Sequence, residues 1–112
     1  MQINWSYLRK GWTSTKKAQE FLEQKNVSSE AVTWANKQKY GPDDAWEILK
    51  KAKTISIAKG KKVRTFDPHS DDKDDILKHA LGTSGTLRAP AYIDGGRVVI
   101  GFNPELYDEW VS

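Results

Sequence analysis

The sequence predicts an α/β protein whose four-stranded mixed sheet carries helices on both faces. Three observations point there. The chain begins with an alternating stretch, a glycine turn, an amphipathic segment and a β-branched stretch, which reads as strand–helix–strand. Its C-terminal part holds two apolar segments either side of Asp94-Gly95-Gly96, the mark of a hairpin. Between them lie two segments that open with proline or aspartate and carry apolar residues at helical spacing. A strand–helix–strand unit crosses over right-handed and leaves its strands parallel, whereas a hairpin is antiparallel. Numbered along the chain, the four strands are expected in the order 2-1-3-4.

Each element has a local reason. Ile3, Trp5 and Tyr7 alternate with Gln2, Asn4 and Ser6, a strand with one buried face. After the turn at Gly11, Ala18, Phe21 and Leu22 form a helix face that ends near Lys25-Asn26. Glu30–Gln38 is β-branched and aromatic at its centre, a second strand. Pro42 opens the next helix where a missing N–H costs nothing, and Asp43 and Asp44 suit the positive end of its dipole. Ala45, Ile48, Leu49 and Ala52 make its buried stripe. Ile55 and Ile57 form a short apolar follow-on, and the segment from Gly60 to Asp67 reads as an exposed loop or short extended piece. Ser70 is expected to cap a third helix, with Asp71 and Asp72 in its first turn, Ile76, Leu77, Ala80 and Leu81 on its face, and Gly82 at its stop. Asn103 caps the last helix, Pro104 takes its first position, and Leu106, Tyr107, Trp110 and Val111 pack it down.

Composition narrows the function. A chain of 112 residues is one domain, 1–112, with room for a modest core. No apolar run is long enough to span a membrane and no signal-peptide pattern opens the chain, so the expectation is a cytoplasmic, monomeric protein. With no cysteine there is no disulfide, thiolate metal site or cysteine nucleophile. Two histidines, His69 and His79, lack ligand partners at helical spacing, so no metal is expected. Arg9, Lys10, Lys16 and Lys17 flank the first turn, while Lys59, Lys61, Lys62 and Arg64 form a second basic run. These are not interleaved with aromatics along one element, so nucleic acid is not the expected partner.

Three pieces in this order carry a resemblance: "KGWTSTKKAQEFL" after the first strand, "LRAPAYI" opening the third, and "VVIGFNPELY" leading into the last helix. Together they resemble the thioredoxin-like fold, in its arsenate-reductase (ArsC) and glutaredoxin-like branch. The resemblance covers nearly the whole chain and implies an ArsC-type helical insert, here Asp43 to Leu81. It also implies a cis proline at Pro90 facing the start of the first helix. The family's motif is G-C-x-x-C-x-K-A or C-x-x-[ST]. Laid on this chain, its nucleophile falls on Trp12 and its second cysteine on Thr15. An arginine usually directly precedes the cis proline; here Ala89 does, with Arg88 one place earlier.

An indole neither ionises nor attacks, so Trp12 carries no thiol chemistry, and no catalytic residue is assigned. Trp12 reads as a plug in a disused groove, as an anchor for a partner, or as a stand-in for cysteine or selenocysteine, whose codons lie one base from that of tryptophan. The first reading gives a non-catalytic binding module; the last gives a thiol- or selenol-dependent oxidoreductase. The ligand-binding candidates are Lys10, Gly11, Thr13, Ser14 and Thr15 at a helix N-terminus, where free N–H groups attract anions. Arg88, Ala89 and Pro90 join them, because the resemblance implies that backbone beside the cis proline pairs with an extended ligand. The expected partner is a protein segment or a small anionic peptide such as glutathione; no other cofactor is expected.

Overall fold

The computed structural model describes residues 2–111. It is an α/β protein with a mixed sheet between two layers of helices. In chain order the elements are β1 (Gln2–Ile3), β2 (Trp5–Leu8), α1 (Thr13–Gln24), β3 (Ser28–Ser29), β4 (Val32–Trp34), α2 (Pro42–Leu49), β5 (Thr54–Lys59), β6 (Lys62–Phe66), α3 (Lys73–Ala80), β7 (Ala91–Asp94), β8 (Arg97–Ile100) and α4 (Pro104–Val111). The main sheet has six strands in the order β4-β2-β7-β8-β5-β6, and β1 and β3 form a separate parallel pair. The four strands expected from the sequence are β2, β4, β7 and β8. They stand in the expected order, with β2 parallel to β4 and antiparallel to β7, but they are not the whole sheet.

The extra strands correct the reading of Asp43–Leu81 as a helical insert. Between α2 and α3 the chain forms a hairpin, β5–β6: of the loop or short extended piece expected there, Lys62–Phe66 is extended and pairs with β5. Its two-residue turn is Gly60-Lys61, with Gly60 at φ +63°, a conformation that costs glycine nothing. β5 then pairs parallel with β8 and extends the sheet on that side. Ile55 and Ile57 face the core shared with α2 and α3, while Ala58 faces the opposite core, so β5 is buried on both faces.

Three smaller expectations also shift. The first strand is not buried on one face only: a bend at Asn4 breaks it in two and changes its parity. Ile3 and Leu8 pack with α1 and α4, Tyr7 packs on the other side with α2 and α3, and Ser6 is buried as well. The second strand shrinks from Glu30–Gln38 to Val32–Trp34, because the chain turns again at once: Lys37 and Gln38 donate their amides to the Trp34 carbonyl. The third helix is capped by Asp72, whose carboxylate accepts from the Asp75 amide, and not by Ser70. Ser70 sits in a preceding turn, where its amide and that of Asp71 donate to the Asp67 carbonyl.

The last helix starts as its sequence demands. Asn103 Oδ1 accepts from the Leu106 amide at 3.0 Å, and Pro104 follows at the first position. Trp110 donates its indole N–H to Asp94 Oδ2, pinning α4 to the end of β7. His79 has a structural role: its ring packs on Phe66 and its Nδ1 lies 2.9 Å from the Asp75 carbonyl.

Candidate functional site

The site forms where β2 ends and α1 begins. Gly11 takes φ +84°, which turns the chain sharply after Lys10. The Lys10 amide donates to Asn36 Oδ1, holding that turn against the loop after β4. Trp12 is the N-cap of α1 and, as an indole must, makes no side-chain cap bond, leaving first-turn amides without that partner. Its ring is 45% exposed, among the most exposed large apolar side chains of the described residues. The Arg9 guanidinium lies 4.4 Å from its centroid, and Lys10 Nζ lies 5.2 Å from the centroid of Trp34.

Trp12 and Arg9 divide two cavities. One, of 610 Å³, follows the start of α1 and is bordered by Lys10, Gly11, Thr13, Thr15, Lys16 and Lys17. The other, of 540 Å³, lies between the end of α3, the Gly82–Thr86 loop and the approach to β7. Arg9 and Trp12 line both. The structure therefore brings Lys10, Gly11, Thr13 and Thr15 together on one side of Trp12, with Arg88 and Ala89 on the other. Ser14 is exposed but lines neither cavity, and Pro90 is fully buried. Thr15 is only 2% exposed, and its hydroxyl accepts from the Arg9 amide at 3.4 Å, tying α1 to the end of β2.

The Ala89–Pro90 bond is cis. Around it the backbone is mostly committed: Arg88 N–H donates to the Ala80 carbonyl and the Pro90 carbonyl accepts from Gly101 N–H. Ala89 differs, since neither its N–H nor its C=O makes a hydrogen bond among the described residues. It borders the second cavity.

Arg88 is held from behind. Its Nη2 donates to the Ala58 carbonyl at 3.0 Å and its Nη1 to the His79 carbonyl at 3.4 Å. No carboxylate pairs with it among the described residues. Burial lowers its pKa from the usual arginine value, yet leaves a guanidinium charged at neutral pH. Gly101 makes the arrangement fit: it takes φ +85°, and a β-carbon there would stand 2.4 Å from the Ala58 carbonyl oxygen and 3.3 Å from Arg88 Nη2.

Sequence reasoning missed Lys39, Lys59, Lys78 and the hydroxyls of Thr83, Ser84 and Thr86, all of which line the second cavity. The available signal was the run Gly-Thr-Ser-Gly-Thr at 82–86, read as no more than a helix stop. No protein-family model matches the chain, and no curated protein matches it.

Proposed function

We propose that this chain is a non-catalytic, thioredoxin-like binding module of the arsenate-reductase and glutaredoxin-like kind, whose groove takes an extended anionic peptide. The observation that carries the reading is the uncommitted backbone of Ala89, beside Pro90 and across Trp12 from the start of α1. A free N–H and C=O on one residue can pair with a ligand backbone as a strand pairs with a neighbour. At the other end the first turn of α1 offers unpaired amides carrying about half a positive charge, suited to a carboxylate. Glutathione has both features, an extended peptide and terminal carboxylates. With no cysteine in the chain, no thiolate exists to attack a disulfide or arsenate.

The exposure of Trp12 favours a second reading. A large indole at an exposed N-cap gains little from burial and supplies no cap, whereas a thiolate or selenolate there would be stabilised by the helix dipole and by Arg9. On this reading the native residue is selenocysteine or cysteine and the protein is an oxidoreductase. The codon at position 12 of the source gene separates the two: UGG carries the binding module, while UGA or a cysteine codon carries the enzyme.

The binding reading is tested by an amide NMR titration with glutathione and phosphate. Glutathione should move the signals of Gly11–Lys17 and of Ala89, and should bind more tightly than phosphate. If those signals stay still at millimolar glutathione, the groove is closed and the reading fails.

A further inference from the structure

We propose that the cavity on the Arg88 side of Trp12 is a site for a small molecule carrying two or more linked phosphate groups. The inference rests on that cavity and does not require glutathione to bind.

Among the described residues five cationic side chains line the cavity, Arg9, Lys39, Lys59, Lys78 and Arg88, and no aspartate or glutamate does. None of the five forms an ion pair among the described residues. Four are drawn from separate parts of the chain: the end of β2, the loop before α2, the end of β5 and the last turn of α3. Cations scattered along a sequence ordinarily disperse over a surface, where like charges repel. Here the fold converges them on one concavity. Arg88 is the fixed member, since its two bonds to the Ala58 and His79 carbonyls leave further N–H donors of the fork uncommitted.

The remaining wall is a loop rich in donors. Gly82–Thr86 closes through Gly82 N–H to the Thr86 carbonyl at 2.8 Å and Gly85 N–H to the Gly82 carbonyl at 3.0 Å. Gly85 takes φ +79°. The amides of Thr83 and Ser84 donate to no acceptor among the described residues. Ser84 Oγ and Thr86 Oγ1 share a hydrogen bond at 3.0 Å, so the donor set for phosphate oxygens is the free amides, the Thr83 hydroxyl and the cations around the concavity.

Charge and size choose the ligand class. One carboxylate would offset a single one of the five cations, whereas two linked phosphates offset most of them. The 540 Å³ volume suits a small molecule and far exceeds a lone phosphate ion. A nucleic-acid backbone would supply the same chemistry, but the lining forms a pocket and, among the described residues, holds one aromatic, Trp12, so a run of stacked bases has no platform.

The test is calorimetric titration with pyrophosphate, orthophosphate and sulfate at matched ionic strength. Pyrophosphate should bind at least about tenfold more tightly than either of the others, the effect of one further charge-assisted hydrogen bond. The double variant Lys59→Gln/Lys78→Gln changes exposed side chains and should weaken pyrophosphate by at least about tenfold by the same measure. Lys16→Gln/Lys17→Gln, on the other cavity, should leave it within about twofold, the effect of distant screened charges. Equal binding of pyrophosphate and sulfate overturns the proposal, as does equal loss in the two double variants. A single-stranded oligonucleotide that binds more tightly than pyrophosphate overturns it in favour of nucleic acid. Glutathione lacks phosphate and is read by the amide signals of Gly11–Lys17 and Ala89, so failure of pyrophosphate to bind here leaves the peptide-binding module to be judged by its own titration.

Discussion

The two cavities that meet at Trp12 present positive charge by different means. On the α1 side the cations are Arg9 and the exposed lysines Lys10, Lys16 and Lys17, and Glu20 borders the same cavity. Exposed charge of this kind is screened by salt, and Glu20 partly offsets it. On the loop side the exposed lysines Lys39, Lys59 and Lys78 are joined by Arg88, which is half-buried, anchored by two backbone carbonyls and, among the described residues, opposed by no carboxylate. A group held in place before its ligand arrives loses little freedom on binding, whereas a lysine must be ordered. On the proposed binding role, selectivity is assigned to the loop side and general attraction of anions to the α1 side.

Two glycines sharpen that contrast, and they give the largest expected effect. Gly11 and Gly101 have nearly the same positive φ, +84° and +85°, one on each side. A β-carbon on Gly11 meets nothing within 4 Å, so Gly11→Ala should cost about 1–2 kcal/mol, the backbone term alone. A β-carbon on Gly101 collides with the Ala58 carbonyl that anchors Arg88, so Gly101→Ala should cost about 3 kcal/mol or more. Denaturant unfolding of both variants measures the difference. Equal costs would mean that the loop side is as yielding as the α1 side, and the comparison would break.

Much of this arrangement was legible in the sequence, and the part that was not has physical causes. The α1 start could be read because its signals are local: Gly11, then Trp12, then hydroxyls and lysines in consecutive positions. The loop-side cavity could not, because Lys39, Lys59, Lys78 and Arg88 meet only through the β5–β6 hairpin and the end of α3. That hairpin escaped because β6 lies at the sheet edge, with Lys62, Val63, Arg64 and Thr65 all exposed, so burial imposes no alternation on it. Only Gly60-Lys61 marked the turn. The start of α3 was displaced for a different reason. Ser70, Asp71 and Asp72 are three capable caps in a row, and Asp71 has its carboxylate on the Asp67 amide at 2.7 Å. Propensity cannot rank caps whose competing bonds come from the preceding turn. At Asn4 a bend inverted the face of a strand whose alternation looked continuous, and nothing local to Ile3-Trp5-Tyr7 announces it.

The wall between the cavities should contribute less than either glycine. Arg9 stacked on an exposed Trp12 is a cation–π contact worth about 0.5–1 kcal/mol. A double-mutant cycle of Arg9→Gln and Trp12→Ala should return a coupling energy in that range. Zero coupling would mean that the two side chains sit apart in solution and that the groove is one open trough.

The smallest effect on stability belongs to the α1 lysines. Lys16 and Lys17 are exposed and in no ion pair among the described residues, so Lys16→Gln/Lys17→Gln should change stability by less than about 0.5 kcal/mol. Its consequence should appear in binding. These lysines add to the field at the start of α1, so their removal should weaken simple anions such as phosphate and flatten the dependence of that binding on salt. The measurement is phosphate affinity at low and at physiological ionic strength, for the wild type and the double variant. Because Arg88 is anchored on the far side of Trp12, the variant should keep the residual, less salt-sensitive binding that Arg88 supports. A variant that loses all anion binding would place the whole positive field on the exposed α1 lysines, and the loop side would then be no more than a basic surface.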